Sequence, residues 1–387
     1  MIQEQLVKKS AIIDSGDFSL SLSQYLEKVE IKSNYELIPL KEIISLESGS
    51  RAKGGALDSG IPSIGGAQIN SLGKIINEKM KYVPLDHFKS MKKGHLAQGD
   101  VLMVKDGATT GKIGFYDGSF EKAAVNEHVF IFRAKDKVLP LFLFYVIRNS
   151  NFSNILKPYI KGIIGGVSRK ILDIKIPLPP LQIQEQIVNE IKGYQQIIDG
   201  CRQVVENYKP VIDIDPSWEI VQLKNICTFA YGKPLKKTDR IEGEFPVYGS
   251  NGIVDKHNNF LVESPFIVIG RKGSAGRLSF SNKNGFPIDT TFYISSDQII
   301  DDQVDINFLY YSLKNLDLDK VSNDQTVPGL NRNDAYRKKI SLPSKKIQIN
   351  IVKKLEQERK VIEGNKELIK IYKNKIDARI NKVWSDN

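Results

Sequence analysis

Pro177-Leu178-Pro179-Pro180-Leu181-Gln182-Ile183-Gln184-Glu185-Gln186-Ile187-Val188 is the stretch that organises this chain. Its prolines hold the backbone extended, because a residue that precedes proline avoids the α region. Behind this strap, Ile187, Ile191, Tyr194, Ile198, Cys201, Val205 and Tyr208 follow one another at spacings of 4, 3, 4, 3, 4, 3. That is a heptad seam, one narrow apolar stripe along a long helix. A stripe so narrow fits another helix better than the face of a large core, and the chain supplies a second one. From Ile347 onward the seam returns at Ile351, Leu355, Ile362, Ile369, Tyr372, Ile376 and Val383, broken by Glu358 and Asn365. A body of sequence from Trp218 to Ser344 separates the two helices, so an antiparallel pairing is expected.

Outward from the strap, the chain repeats itself. Tyr35-Glu36-Leu37-Ile38-Pro39-Leu40-Lys41-Glu42-Ile43 is answered by Trp218-Glu219-Ile220-Val221-Gln222-Leu223-Lys224-Asn225-Ile226. Ile61-Pro62-Ser63-Ile64-Gly65 is answered by Phe245-Pro246-Val247-Tyr248-Gly249, and the run Val101 to Gly107 by Phe266 to Gly273. Phe142 to Tyr145 matches Phe308 to Tyr311, and Ile176 to Pro179 matches Ile340 to Pro343. Gln184, Ile187 and Val188 match Gln348, Ile351 and Val352. Blocks in one order, at offsets drifting only from 183 to 164 residues, make the chain two copies of one unit. Each copy alternates short apolar runs with Gly, Asn, Asp and Ser punctuation, the mark of strands and turns with a few helices.

The expected fold class is therefore α+β, with two mixed α/β domains joined by a pair of long antiparallel coiled-coil helices. The expected boundaries are an N-terminal arm at 1–34, a first body at 35–176, and a strap and helix at 177–210. A second body follows at 211–340 and a second strap and helix at 341–387. Ile2-Gln3-Glu4-Gln5-Leu6-Val7 echoes Ile183 to Val188, like a fragment of a third repeat.

Composition narrows the function. At 387 residues the chain exceeds twice a common domain size of about 100–150 residues. Its 41% hydrophobic and 26% charged residues belong to a folded protein. Fifty-six Lys and Arg against 45 Asp and Glu leave a charge of +11, which points to a polyanionic partner, nucleic acid foremost. Cys201 and Cys227 are too few for a disulfide framework or a cysteine zinc site, and His87, His95, His128 and His257 form no close ligand pair, so no metal is expected. Met1 to Ser10 is polar, unlike a secretion signal, and the most apolar stretch, Val138 to Ile147, is far short of the roughly 20 residues of a spanning helix. A cytoplasmic protein without membrane attachment is expected.

Catalytic machinery is hard to find. No GxxxxGK[ST] loop occurs, and Gly107-Ala108-Thr109-Thr110-Gly111-Lys112 lacks its spacing. Asp215-Pro216-Ser217-Trp218 is a short, weak match to the motif with which amino-methyltransferases hold their amine, and no glycine-rich S-adenosylmethionine loop accompanies it. Asp173-Ile174-Lys175 and Glu190-Ile191-Lys192 have the form of a nuclease carboxylate-x-lysine tail but lie where solvated charges are ordinary.

Binding elements are plentiful. Each body carries a glycine-rich turn rimmed by cations and hydroxyls, with Lys105, Thr109, Thr110 and Lys112 in the first copy and Arg271, Lys272, Ser274 and Arg277 in the second. Small residues let backbone N–H groups approach phosphates while the cations neutralise them. Ser168-Arg169-Lys170 and Asn331-Arg332-Asn333 recur near the repeat ends, and Arg51 with Lys53, and Lys233 with Lys236 and Lys237, add the same polarity. The framework blocks match while the stretches between them differ, such as Asn70 to Gln98 against Val254 to Glu263. Equal scaffolds with unequal loops would read two different short sequences.

The strap and helix start, the tandem bodies and Trp218 through Gly249 together resemble the DNA-specificity subunit of type I restriction-modification systems. The resemblance covers nearly the whole chain from about residue 35. The second copy departs from the first, with Ser341 and Ser344 where the first has Pro177 and Pro180, and Asn350 in place of Gln186. The resemblance implies that each body is a target recognition domain, that the helices are the spacer, and that the chain is noncatalytic and holds no cofactor. It implies double-stranded DNA and two methyltransferase subunits as partners, the latter bringing S-adenosylmethionine, with a motor-nuclease subunit in restriction. About 24 helical residues at ~1.5 Å each would make the spacer a ruler of about 36 Å, close to one turn of B-DNA. Two other classes stay open at this point: a self-sufficient DNA-modifying enzyme and a non-DNA coiled-coil scaffold.

Overall fold

A computed structural model describes residues 31–161, 166–321 and 329–386. Most of the N-terminal arm, including the Ile2 to Val7 echo, lies outside the described residues. The chain divides into two compact units, one running to Arg202 and joined by Glu367–Asn387, the other Gln203–Lys366.

Unit 1 opens with β1 (Leu37–Pro39), the single turn α1 (Leu40–Ile43) and β2 (Ile44–Ser48), followed by β3 (Ile61–Ile64), β4 (Lys81–Val83) and α2 (Leu85–Ser90). Then come β5 (Val101–Val104), β6 (Ile113–Phe115), β7 (Ala124–Val125), β8 (Val129–Ala134), α3 (Pro140–Arg148) and α4 (Ser150–Leu156). Two short strands, β9 (Ile160–Lys161) and β10 (Gly166–Val167), precede β11 (Lys175–Pro177) and the long α5 (Leu181–Asn207). A four-stranded antiparallel sheet has the order β2-β8-β5-β6, and a three-stranded sheet the order β4-β3-β7. The β5 sequence, Val-Leu-Met-Val, is apolar throughout because its sheet is covered on both faces. Val101 and Met103 enter the main core with Phe130, Phe132 and the α3 residues Phe142, Leu143 and Ile147. Leu102 and Val104 face a second cluster with Ile64, Val129 and Ile131.

Unit 2 repeats this plan with β12 (Glu219–Gln222), β13 (Ala230–Tyr231), β14 (Phe245–Gly249), β15 (Gly252–His257), β16 (Phe266–Gly270), β17 (Leu278–Ser281), β18 (Phe286–Pro287) and β19 (Thr291–Ile294). Helix α6 (Ile306–Lys314), the short α7 (Arg332–Tyr336), β20 (Lys339–Leu342) and the long α8 (Lys345–Trp384) complete it, the far end of α8 belonging to unit 1. Its sheets run β13-β19-β16-β17 and β15-β14-β18, the same orders as in unit 1. Ile267 and Ile269 of β16 enter one cluster and Phe266 and Val268 the other.

In both units the strap begins as a strand of the body. Pro177 pairs with Leu37, and Leu342 with Glu219, so the chain closes each body before it leaves. A buried glutamine then fastens each helix. Gln184 is fully buried; its Oε1 accepts from the Leu139 amide (2.8 Å), and its Nε2 donates to the carbonyls of Lys137 (3.0 Å) and Pro179 (2.8 Å). Gln348 does the same in unit 2, accepting from the Asp305 amide (2.9 Å) and donating to Gln303 (3.0 Å) and Pro343 (2.8 Å).

The helical seam is inward-facing. Ile187, Ile191, Ile198, Leu355 and Ile362 are buried, while Tyr194, Val205, Ile351, Ile369 and Ile376 are half-buried. Within unit 1 the paired segments run antiparallel. Glu190 meets Arg379 at 2.7 Å, and further along α5 Tyr194 packs on Tyr372, earlier in α8, with ring centroids 5.4 Å apart. The last turn of α8 also docks on the body of unit 1, placing Ile380, Val383 and Trp384 in its core. Within unit 2 the seam-breaking Glu358 has a partner, accepting from the Tyr208 hydroxyl at 3.1 Å. Burial and that carboxylate push the Tyr208 phenol up to about 12. Among the described residues no helix is long and apolar enough to cross a membrane.

Candidate nucleic-acid interface

The glycine-rich turns are the β5–β6 and β16–β17 connections, and strand register fixes their equivalence. The Gly111 amide donates to the Val104 carbonyl (2.8 Å), and the Gly276 amide to the Gly270 carbonyl (2.8 Å). Gly107 and Gly273 hold φ of 95° and 80°, a region that favours glycine. The residue after each strand, Lys105 or Arg271, is gripped on both sides by backbone. Lys105 N–H donates to His128 O (2.9 Å) and its carbonyl accepts from Val167 (2.7 Å), while Arg271 N–H donates to Thr290 O (2.9 Å) and its carbonyl accepts from Leu330 (2.8 Å). These bonds bring the repeat-end clusters, Ser168 to Lys170 and Asn331 to Asn333, beside the turns. The cluster residues cap short helical turns: Ser168 Oγ accepts from the Lys170 amide, and Asn331 Oδ1 from the Asn333 amide.

In unit 1, Lys105 lies 5.4 Å over the Phe130 ring and Arg169 donates to the Leu46 carbonyl (3.3 Å). Thr110 and Lys112 point back into the fold, Thr110 Oγ1 donating to Gly107 O (2.7 Å) and Lys112 Nζ to Gly66 O (3.0 Å). Thr109, Ser168, Arg169, Lys170 and Lys53 are exposed. Arg51 lines a cavity of about 320 Å³ with Lys81, Asn126, Glu127 and His128, its Nε 3.9 Å from Glu127. His128 also pairs with Asp106 through Nδ1.

In unit 2, Lys272 and Arg277 are exposed, and Arg277 and Ser274 both reach Asn251 at the tip of the β14–β15 hairpin. Lys233, Lys236 and Lys237 are exposed, and Lys233 bridges to Ile288 beside the same sheet end. Arg271 and Arg332 converge on one ring that sequence reasoning missed, Tyr231, with Cζ atoms 5.0 and 5.2 Å from its centroid. A solitary tyrosine after Ala230 carried no sequence signal, because its partners are set by the β13–β19 register.

The catalytic look-alikes are occupied structurally. Asp173 accepts from Lys41 (2.9 Å), Glu190 from Tyr194 and Arg379 (both 2.7 Å), and Asp215 from the amide and hydroxyl of Ser217. Among the described residues no group of three His, Cys, Asp or Glu could hold a metal ion.

Two copies of one α+β body, each closed by its strap strand and extended by a long helix, define a tandem-repeat protein with cations gathered at equivalent sheet ends. The type I restriction modification DNA specificity domain matches residues 32–207 and again 216–372, and the chain belongs to that family. It is 28% identical over 187 residues to the type I restriction enzyme MjaVIII specificity subunit of Methanocaldococcus jannaschii, an alignment covering 46% of this chain and 43% of that protein. The chain thus spans less than half the length of that relative. A putative type I restriction enzyme specificity subunit of Haemophilus influenzae is 23% identical over 367 residues, covering 86% of this chain and 90% of that one. The fold is shared with the crystal structure of the type I restriction-modification S subunit from M. genitalium, at TM-score 0.58 and 16% identity over 93% of this chain and 99% of that chain.

Proposed function

We propose that this chain is the DNA-recognition subunit of a type I restriction-modification complex, reading an asymmetric bipartite site in duplex DNA with one half-site per unit. The observation that carries the reading is the matched placement of unlike residues. Lys105 and Asp106 of unit 1 hold the same framework positions as Arg271 and Lys272 of unit 2, Lys105 and Arg271 gripped by the same backbone bonds and Asp106 and Lys272 each bridged to a glycine near the end of its own unit. A common frame with different side chains is what two half-sites of different sequence require.

The subunit is noncatalytic in this reading and works in the cytoplasm, docking two methyltransferase subunits that carry S-adenosylmethionine and, in restriction, a motor-nuclease subunit. Its share of the chemistry is to hold DNA in register while a partner extrudes the target base. The exposed cations Arg51, Lys53, Lys170, Lys233, Lys236, Lys237, Lys272 and Arg277 supply the phosphate contacts.

Binding of the purified full chain to random duplex across a salt series tests the reading. Six or more neutralised phosphates give a log–log slope of about −5 or steeper. A slope near zero would favour a scaffold, and metal- or S-adenosylmethionine-dependent modification of DNA by the chain alone would favour an enzyme; either result contradicts the proposal.

A further inference from the structure

In unit 2, three segments far apart in sequence meet on the ring of Tyr231. Tyr231 is 50% exposed, yet the ring stands on buried aromatic neighbours. It pairs across the sheet with Phe292, itself 2% exposed, their ring centroids 4.9 Å apart. Phe292 packs in turn on Phe229, 1% exposed, whose amide donates to the Tyr336 hydroxyl at 2.8 Å. Onto this aromatic floor the structure sets two guanidinium groups. Arg271 lies over Tyr231 and, at 5.9 Å, over Phe292; Arg332 lies over Tyr231 and, at 5.9 Å, over Tyr336. Arg271 is steadied further by donating Nη1 to the Asp289 carbonyl at 3.0 Å.

Unit 1 lacks this arrangement at the equivalent register. The strand residue opposite Phe130 is Ser48, and the residue opposite Phe292 is Tyr231. Where Arg271 stands over its aromatics, unit 1 presents the ammonium of Lys105 over Phe130. A phosphate needs only a point charge, and lysine supplies it without a fixed plane. A guanidinium held over a ring is more restricted in its plane than an ammonium, and with Nη1 given to Asp289 the fork that Arg271 offers is its Nε–Nη2 edge. Its parallel N–H groups then match the paired acceptors O6 and N7 that guanine alone presents in the major groove.

We infer that the Arg271–Tyr231–Arg332 stack is a guanine reader, so that unit 2 and not unit 1 selects guanine through this sheet end. The inference rests on the DNA-recognition reading proposed above and names the bases it acts on. Lys233 and Lys272, both exposed and near Tyr231 and Arg271 in sequence, hold the backbone of the same half-site.

Selection of bound duplexes from a randomised pool tests it, using the full chain copurified with its methyltransferase subunits. The wild type is expected to select two half-sites, one containing guanine. Arg271→Lys and Arg332→Lys keep the charge and lose the stacked fork, so each should reduce preference for a guanine in that half-site about tenfold to a hundredfold. The other half-site should be unchanged. Tyr231→Ser, which installs the unit 1 residue type, should relax the same positions, whereas Tyr231→Phe should retain them. Urea denaturation midpoints equal to the wild type establish that each variant is folded, and the two arginines sit on different segments, so loss of one variant leaves the other.

Three results would overturn the inference: guanine preference that survives both lysine variants while overall affinity falls evenly, relaxation confined to bases other than guanine, or equal relaxation of both half-sites. A wild type that selects no sequence at all would overturn the recognition reading itself, a distinct outcome.

Discussion

Replacing Gln184 with leucine keeps the side-chain volume and removes three hydrogen bonds at once. The Leu139 amide at the start of α3 loses its acceptor, and the carbonyls of Lys137 and Pro179 lose their donor, around a side chain that itself has no solvent exposure. At about 1 kcal/mol for each group stranded away from water, the low end of the usual range, the substitution costs about 3 kcal/mol. With a urea m-value of about 3 kcal/mol/M, the midpoint of unit 1 falls by about 1 M. The chain's two tryptophans make the assay specific, because Trp384 is buried in the unit 1 core and Trp218 lies in unit 2. In a Trp218→Phe background, fluorescence therefore reports unit 1 alone. Gln186→Leu, at an exposed position of the same helix, is the control and should leave the midpoint in place. A Gln184→Leu midpoint within about 0.2 M of the background protein would refute the clip as the fastening of strap to body.

Other expectations follow from the same geometry. Arg133 bonds Asp100 through Nε (2.9 Å) and Nη2 (2.8 Å) and Glu47 through Nη1 (2.9 Å), with Asp100 2% exposed. Arg133→Met strands that buried carboxylate and should cost about 3 kcal/mol in chemical denaturation, whereas Lys41→Ala, which breaks the exposed pair with Asp173, should leave the midpoint unchanged. The hydrogen bond from Tyr194, with Arg379 adding to it, holds the Glu190 carboxyl below its ordinary value. A lowered folded value stabilises above the ordinary carboxylate range and is lost as pH falls through it. The gap in midpoint between wild type and Glu190→Gln should therefore be present at pH 7 and close toward pH 3; a gap that widens on acidification would contradict the assignment. Inserting one heptad into both α5 and α8 should lengthen the proposed unread gap between half-sites, measured by site selection, and an unchanged gap would refute the ruler.

Much of this architecture is legible in one sequence because duplication writes it twice. The strap, the seam and the apolar blocks survive comparison of the two copies, and local rules suffice for prolines, heptads and glycine turns. What escapes is whatever depends on cross-strand register. Gln184 and Gln348 match each other in sequence, but their burial under Leu139 and Asp305 arises only when the helix folds back on its body. Tyr231 is one aromatic among 15 tyrosines until the β13–β19 pairing sets it beside Phe292 and under Arg271. Conversely, Thr110 and Lys112 read as ligand-facing by residue type alone, yet their side chains donate to backbone carbonyls of their own unit. Charge on a turn states what a residue can bind and not which way it points. The heptad pattern likewise identifies a partner helix without showing that the end of α8 also enters the core of unit 1, through Ile380, Val383 and Trp384.

The most direct measurement of the central claim is a long-read methylome of cells that carry this gene together with the proposed methyltransferase partner, compared with cells from which this gene alone is deleted. Loss of a single gapped, asymmetric adenine-methylation motif on deletion is the predicted result. Persistence of every methylated motif while the methyltransferase is active, or loss of an ungapped or palindromic one, would contradict it.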